Sequence, residues 1–198
     1  MTSPTLTPAR SATDAQRAVV DAADALYAEH GIASVSTGDV ARRAGIDAAA
    51  VTDAFPTQHD LVVAVLQRWH ATWTTALDRI ADESEDPRDE VLAVFDHLER
   101  CFAAEDWHGC AFINLHAELG RQDPEIAELA RAHVVQVEQH LTQVCSRAGL
   151  PAHVAQTIVL LVEGARVDSA VQRSPQAART ARLGAAMLMA VYGTEQSA

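Results

Sequence analysis

Between Val35 and Leu61 the chain has room for little besides two short helices and a tight turn. Ser36 and Asp39 form an S-x-x-D capping box, so a helix begins at about Thr37. Gly45 follows Ala44, and a glycine free to adopt a positive φ stops that helix there. Asp47 is placed to cap a second helix, which Phe55-Pro56 ends after Ala54. Thr57 and Asp60 make another capping box and open a longer helix. Val35, Val40, Ala41, Ala44, Ile46, Val51, Phe55 and Leu61 supply a small apolar core for the group. Two short helices set steeply across a glycine turn are a helix-turn-helix, whose second helix can enter the major groove of DNA.

The same punctuation divides the rest of the chain. A first helix runs from about Asp14 to His30, with Val19, Ala23, Leu26, Tyr27 and His30 recurring on one face, and Gly31 ends it. The fourth helix continues from Thr57 to about Ile80 and turns Leu61, Val65, Leu66, Trp69, Trp73 and Leu77 inward. After an acidic loop, Asp86-Pro87 pairs an acid cap with a proline in the first helical turn and opens a fifth helix to about residue 104. A sixth follows over Cys110–Leu119. Asp123-Pro124, Leu150-Pro151 and Ser174-Pro175 then open the seventh, eighth and ninth, which reach about Gly149, Gln172 and Tyr192. The fold class is therefore all-α, with nine helices and short links. The expected division is a disordered tail over 1–13, a helix-turn-helix domain over 14–60 and a helical domain over 61–192.

Composition sets further bounds. Of 198 residues, 48% are hydrophobic, enough for a small domain joined to a larger one. No run reaches the ~18 apolar residues of a membrane span, and the N-terminus has no apolar signal region. Three cysteines without a C-x-x-C pair suit a reduced, cytoplasmic setting. The net charge is −12 and every cation is an arginine. Nucleic-acid readers ordinarily carry a basic footprint, but residues 1–68 hold five arginines against eight acids. Arg10, Arg17, Arg42 and Arg43 remain as a local basic rim. No nucleophile elbow, phosphate-binding glycine loop or dinucleotide fingerprint appears, so no catalytic residue, enzyme activity or cofactor is expected.

Arg17, Ala22-Ala23, Leu26-Tyr27, Gly31, Asp39-Val40-Ala41, Ala44-Gly45-Ile46, Phe55 and Leu61 together carry a resemblance. The segment Arg17 to Leu66, about a quarter of the chain, resembles the N-terminal domain of the TetR/AcrR family of bacterial repressors. The resemblance implies an all-helical homodimer. Its N-terminal domain would bind an operator in double-stranded DNA, and its C-terminal domain would hold a small-molecule effector. The eighth and ninth helices would pair with their copies. Val154, Ile158, Leu160, Leu161, Val162, Ala165 and Val167 form a stripe on the eighth helix too broad for one neighbour. Small residues on the ninth (Ala178, Ala181, Ala185, Ala186) permit close approach.

The candidate DNA-contacting residues are Arg17, Thr37, Arg42, Arg43, Asp47, Ala48, Ala49, Thr52, Thr57, Gln58 and His59. The recognition helix holds no basic residue. In the family a tyrosine usually stands where Thr52 is and a lysine where Gln58 is, both on phosphate. Here Thr52 and Gln58 can only hydrogen-bond, and the alanines can only make apolar contacts, as with a thymine methyl. The backbone N–H groups near Thr57–His59 are a further phosphate-binding candidate. Two readings stay open: a regulator with weak or unusual operator affinity, and a dimer that has lost DNA binding and serves as a small-molecule or protein-binding module.

For the effector, His108-Gly-Cys-Ala-Phe-Ile-Asn-Leu-His-Ala-Glu118 resembles a G-C-x-x-x-N-x-x-x-E stretch that lines the pocket in many family members. Candidate ligand-binding residues are Trp69, Trp73, Phe102, Cys110, Ile113, Asn114 and Glu163, a mostly apolar set with a few polar groups. Glu163 sits in an apolar helix and needs a partner, Arg166 or the ligand itself. His97 and Cys101, at i and i+4, are the closest approach to a metal pair, but no ligand spacing is complete and no metal is expected.

Overall fold

The computed structural model describes residues 13–105 and 107–192. Their regular structure is helical: α1 (Asp14–His30), α2 (Thr37–Ala44), α3 (Ala48–Ala54), α4 (Gln58–Glu83), α5 (Pro87–Phe102), α6 (Ala111–Leu119), α7 (Pro124–Arg147), α8 (Ala152–Gln172) and α9 (Gln176–Tyr192), with a short 3-10 turn at Ile32–Ser34. The all-α class and the nine helices among the described residues agree with the punctuation of the sequence. Among these residues, no helix is long and apolar enough to cross a membrane. The expected tail falls outside the described residues except for Thr13, which caps α1 with a reciprocal Gln16 box. Arg10 also lies outside them.

The caps form as the sequence requires. Ser36 and Asp39 exchange hydrogen bonds at the start of α2, and Gly45 ends it in the left-handed region at φ 69°. Asp47 accepts from the Ala49 N–H at 2.8 Å, and Asp60 accepts from the Thr57 N–H at 3.0 Å. Asp86 and Asp123 cap α5 and α7 through their carboxylates. Two details differ from expectation. α4 runs one turn further, to Glu83, because neither glycine nor proline breaks the helix before Ser84. His30 is exposed rather than on the buried face of α1, since it occupies the fraying last turn.

The chain divides into two compact units. Among the described residues, the first combines those up to Thr72 with Ala111–Ala130, and the second combines those of Trp73–Cys110 with those from Arg131 onward. In the first, α1 packs on α2 and α3, and Val19, Ala23, Val40, Val51, Val62, Val65 and Leu66 are buried. Val35, Ala41 and Leu61 of the expected small core are buried too, while Ala44, Ile46 and Phe55 are half-buried. The Arg68 guanidinium pairs with Asp21 and Asp24 of α1. Burial pushes the Tyr27 hydroxyl up to about 12.

In the second unit, α5, α8 and α9 pack together around Phe95, Leu98, Leu141, Val144, Ile158, Val162, Ala178 and Ala185. Buried Glu90 is held by Arg147. His140 stands 3.8 Å from its other oxygen, too far for a hydrogen bond. Gly184 lets α9 sit close on α8, where an added Cβ would meet Leu161 at 3.4 Å.

Candidate nucleic-acid interface

Helix α3 is anchored by one side chain. Val51 is 0% exposed, and it turns the opposite side of the helix outward. Ala48, Ala49, Ala50, Thr52 and Asp53 are all exposed. The Thr52 hydroxyl donates back to the Ala48 carbonyl at 3.1 Å. The Asp47 carboxylate is spent on its cap. What α3 offers to a partner is therefore methyl groups and the Asp53 carboxylate.

Among the described residues, the cations around it are all engaged. Arg43 makes a two-pronged ion pair with Glu29 of α1, at 2.9 and 3.4 Å. That hydrogen bonding and charge raise the Arg43 pKa further. Arg42 pairs with Asp39, and Arg17 with Asp14. With Arg68 on Asp21 and Asp24, each of the four arginines between Thr13 and Thr72 has a carboxylate partner. The pairs of Arg17, Arg42 and Arg43 are largely exposed, so they stabilise the fold little, and a phosphate would have to compete with them.

The other predicted contacts sit as follows. Thr37 is exposed in the first turn of α2. The Gln58 amide nitrogen donates to the backbone carbonyls of Ile32 and Val35 at 3.0 and 3.2 Å, which leaves its carbonyl oxygen, an acceptor that cannot serve a phosphate. At Thr57 the backbone N–H and the hydroxyl both donate to Asp60, so an acid already occupies part of the helix start. His59 faces Asp123 at 2.5 Å and Glu125 at 3.1 Å. Burial pulls its pKa down, but hydrogen bonds and charge from these two acids outweigh that and hold it above the ordinary imidazole value. No sequence signal pointed to that trio, because 64 residues separate His59 from Asp123.

The predicted effector residues divide between the units. Trp69, Ile113 and Asn114 belong to the first, and Trp73, Phe102, Cys110 and Glu163 to the second. The Trp69 indole N–H donates to Asp24 at 2.8 Å. Asn114 is exposed and Ile113 half-buried on α6, while Cys110 immediately precedes that helix. Glu118, the last position of the motif, accepts from the Ala33 backbone N–H at 3.2 Å.

In the second unit a polar and aromatic group does assemble. Arg166 is 3% exposed, lies 4.2 Å over the Trp73 ring and reaches Glu163 at 3.1 Å. Glu163 thus has the partner its helix demanded. His97 and His133 pack against the same indole, with ring centroids 5.4 and 6.4 Å away. Phe102 stacks on Trp107 at 4.8 Å, and the Trp107 N–H donates to Ser169. The Trp73 N–H is shielded from solvent and has no hydrogen-bond acceptor among the described residues. Burial, reinforced by Arg100, Arg79 and Arg166, pushes His97 down to about 4. His97 lies 3.5 Å from Cys101. Among the described residues no three metal-ligating side chains converge.

The outer face of α8 and α9 is apolar. Leu160, Val167 and Val171 on α8, and Leu183, Met187 and Val191 on α9, are all more than half exposed, Val171 reaching 76%. Only Leu160 and Val167 belong to the stripe read from sequence. The i, i+4, i+8 spacing of Leu183, Met187 and Val191 was the signal for the rest. A groove of about 510 Å³ lies beside this face, lined by Leu160, Leu161, Gly164, Ala177 and Ala181 among others.

Residues 19–65 match the family model for bacterial regulatory proteins of the tetR family. No curated protein matches the chain by sequence. Among solved structures, a TetR-family transcriptional regulator from Streptomyces coelicolor superposes with a TM-score of 0.80 at 20% identity, covering 90% of this chain and 95% of that one. A TetR transcriptional regulator from Legionella pneumophila gives 0.77 at 19% identity, covering 90% and 98%. A TetR-family regulator from Agrobacterium tumefaciens gives 0.76 at 20%, covering 88% and 95%. At these identities the likeness is one of fold.

Proposed function

We propose that the chain, whose residues 19–65 match the family model for bacterial regulatory proteins of the tetR family, is a homodimeric, DNA-binding transcriptional regulator, most simply a repressor, released from its operator by a small apolar or amphipathic effector. The observation that carries this is the helix-turn-helix itself. α2 and α3 are capped, joined through left-handed Gly45 and anchored by Val51, with the recognition face of α3 open. Such a dimer places its two recognition helices about one DNA turn, ~34–36 Å, apart. DNA as a partner puts the site of action in the cytoplasm.

Dimerisation is assigned to α8 and α9. A two-fold axis buries the same patch of both copies, which suits an exposed stripe of six large apolar residues beside a recess. The effector is assigned to the Trp73, Phe102, Glu163 and Arg166 region, where the unpartnered Trp73 N–H leaves a donor for a ligand acceptor. α4 runs unbroken from the first unit into the second, so an effector that biases α4 reaches the reader through the chain itself. Release requires different affinities for the two states, whatever the total affinity.

One observation favours the second reading, a dimer with little DNA affinity that serves as a small-molecule or protein-binding module. Every arginine between Thr13 and Thr72 is neutralised by an acid. Charge on phosphate supplies much of the affinity of DNA readers through counterion release. The test is binding of the purified dimer to its own upstream DNA across a salt titration, with Arg43→Ala as control. Tight, salt-dependent binding lost in the variant establishes the regulator. Binding no better than to competitor DNA at low salt establishes the module.

A further inference from the structure

We infer that α3 reads its half-site through one thymine methyl and one cytosine amino group, with Ala49 the methyl reader and Asp53 the amino-group reader. The inference rests on the DNA-binding function proposed above.

The geometry comes from Val51. It is fully buried, and at about 100° per residue the positions two before and two after it stand farthest from it around the helix. Those are Ala49 and Asp53, both exposed. Nothing else on that face can donate to a base, because the Thr52 hydroxyl is turned back to Ala48. Asp53 has no hydrogen bond or ion pair among the described residues.

The chemistry then narrows the bases. A methyl group has only apolar surface to offer, and the thymine C5 methyl is the apolar substituent of the major groove. A carboxylate only accepts. Guanine shows it two acceptors. Adenine sets its N7 acceptor beside its amino group, against the second carboxylate oxygen. Cytosine N4 is the donor that a carboxylate can meet without repulsion. In the field of the phosphates, a carboxylate left without that donor penalises every other sequence, so Asp53 discriminates even where it adds no affinity. Four residues of helix rise about 6 Å, so the two bases lie within about two base-pair steps.

The experiment selects binding duplexes from a randomised library with the full chain at ~50 mM salt, then measures affinities on the enriched duplex by fluorescence anisotropy. Replacing the contacted thymine by deoxyuridine removes one methyl and should weaken binding about three- to fivefold. Asp53→Asn should move the preference at its position from cytosine to adenine by tenfold or more, since an amide matches adenine N6 and N7. Both side chains are exposed, and circular dichroism verifies that the variant is folded. Insensitivity to every thymine replacement removes Ala49 as a reader. An unchanged cytosine preference in Asp53→Asn, or no cytosine preference at all, removes Asp53. Failure to enrich any sequence, with no binding at low salt, overturns the DNA-binding reading itself.

Discussion

The two surfaces that a regulator of this kind would use are built in opposite ways. The outer face of α8 and α9 shows six large apolar side chains to solvent, which a monomer has no reason to keep exposed. The α3 face shows methyl groups and a carboxylate, and the arginines around it are already paired. The first surface has a driving force and awaits a partner. The second has its shape in place and little charge to hold DNA. Association of two copies is therefore expected to be strong, and DNA affinity weak and more dependent on base contacts than on phosphate contacts.

The largest effect should come from the apolar face. Replacing Leu183 and Met187 together by glutamate would bury like charges across the two-fold axis. Sedimentation equilibrium should show the dimer dissociation constant rising at least about 100-fold. DNA binding should fall with it, because a monomer offers a single recognition helix. An unchanged dimer constant would show that this face is not the interface.

Next comes the contrast between a buried and an exposed guanidinium. Arg166 is enclosed, stacked on Trp73 and paired with Glu163. Arg166→Met leaves that carboxylate with a desolvated neighbourhood and no partner. Urea denaturation should show a loss of about 2–3 kcal/mol. Arg43→Ala, on an exposed pair, should leave the unfolding midpoint where it is. Equal losses for the two would mean that the Arg166 environment is wetter than its burial indicates.

How far the sequence foretold this molecule follows the range of the forces involved. Caps, glycine stops and proline starts act over a few residues, so Ser36, Gly45, Asp47, Thr57, Asp86 and Asp123 marked the helix boundaries nearly to the residue. The need of Glu163 for a partner was legible because Arg166 lies one turn away. What stayed hidden depends on elements distant in the chain. Nothing near Arg43 announced Glu29, 14 residues earlier. Gln58 reads as a phosphate contact from its place in the motif, whereas its amide donates to the carbonyls of Ile32 and Val35. The Leu183, Met187 and Val191 row was masked by the alanines around it, which read as a packing face by themselves.

The Arg43–Glu29 pair offers the next test. Glu29→Gln removes the competitor while keeping the side chain's shape. DNA affinity should rise about threefold to tenfold, and the slope of log affinity against log salt should steepen by about 0.9, as neutralising one more phosphate requires. No change in slope would place Arg43 away from the phosphates, and the weakness of the reader would then lie in α3.

The smallest effects concern pH, and here His97 and His59 should respond with opposite sign. In the second unit, burial and neighbouring arginines lower His97 to about 4. The unfolded chain then binds more protons below about pH 6.5, so stability falls as pH drops from there toward 4. Because the ring is only partly enclosed, the loss is discounted to about 1 kcal/mol. Half-buried His140 of the same unit and buried His70 of the first unit are lowered in the same direction and add to that limb, so His97→Gln should flatten it without abolishing it. In the first unit, burial acts on His59 in the same direction, but Asp123 and Glu125 overcome it and raise the pKa. Its contribution is complete below about pH 6.5 and is lost as pH rises through the folded value. For so exposed a cluster that amounts to a few tenths of a kcal/mol. His59→Gln should therefore remove a small decline on the alkaline side and leave the acid limb intact. Denaturant midpoints measured from pH 4.5 to 8.5 on both variants separate the two. If His59→Gln instead flattened the acid side, its ring would be held neutral by burial, and the two acids would not be closing on a charged imidazole.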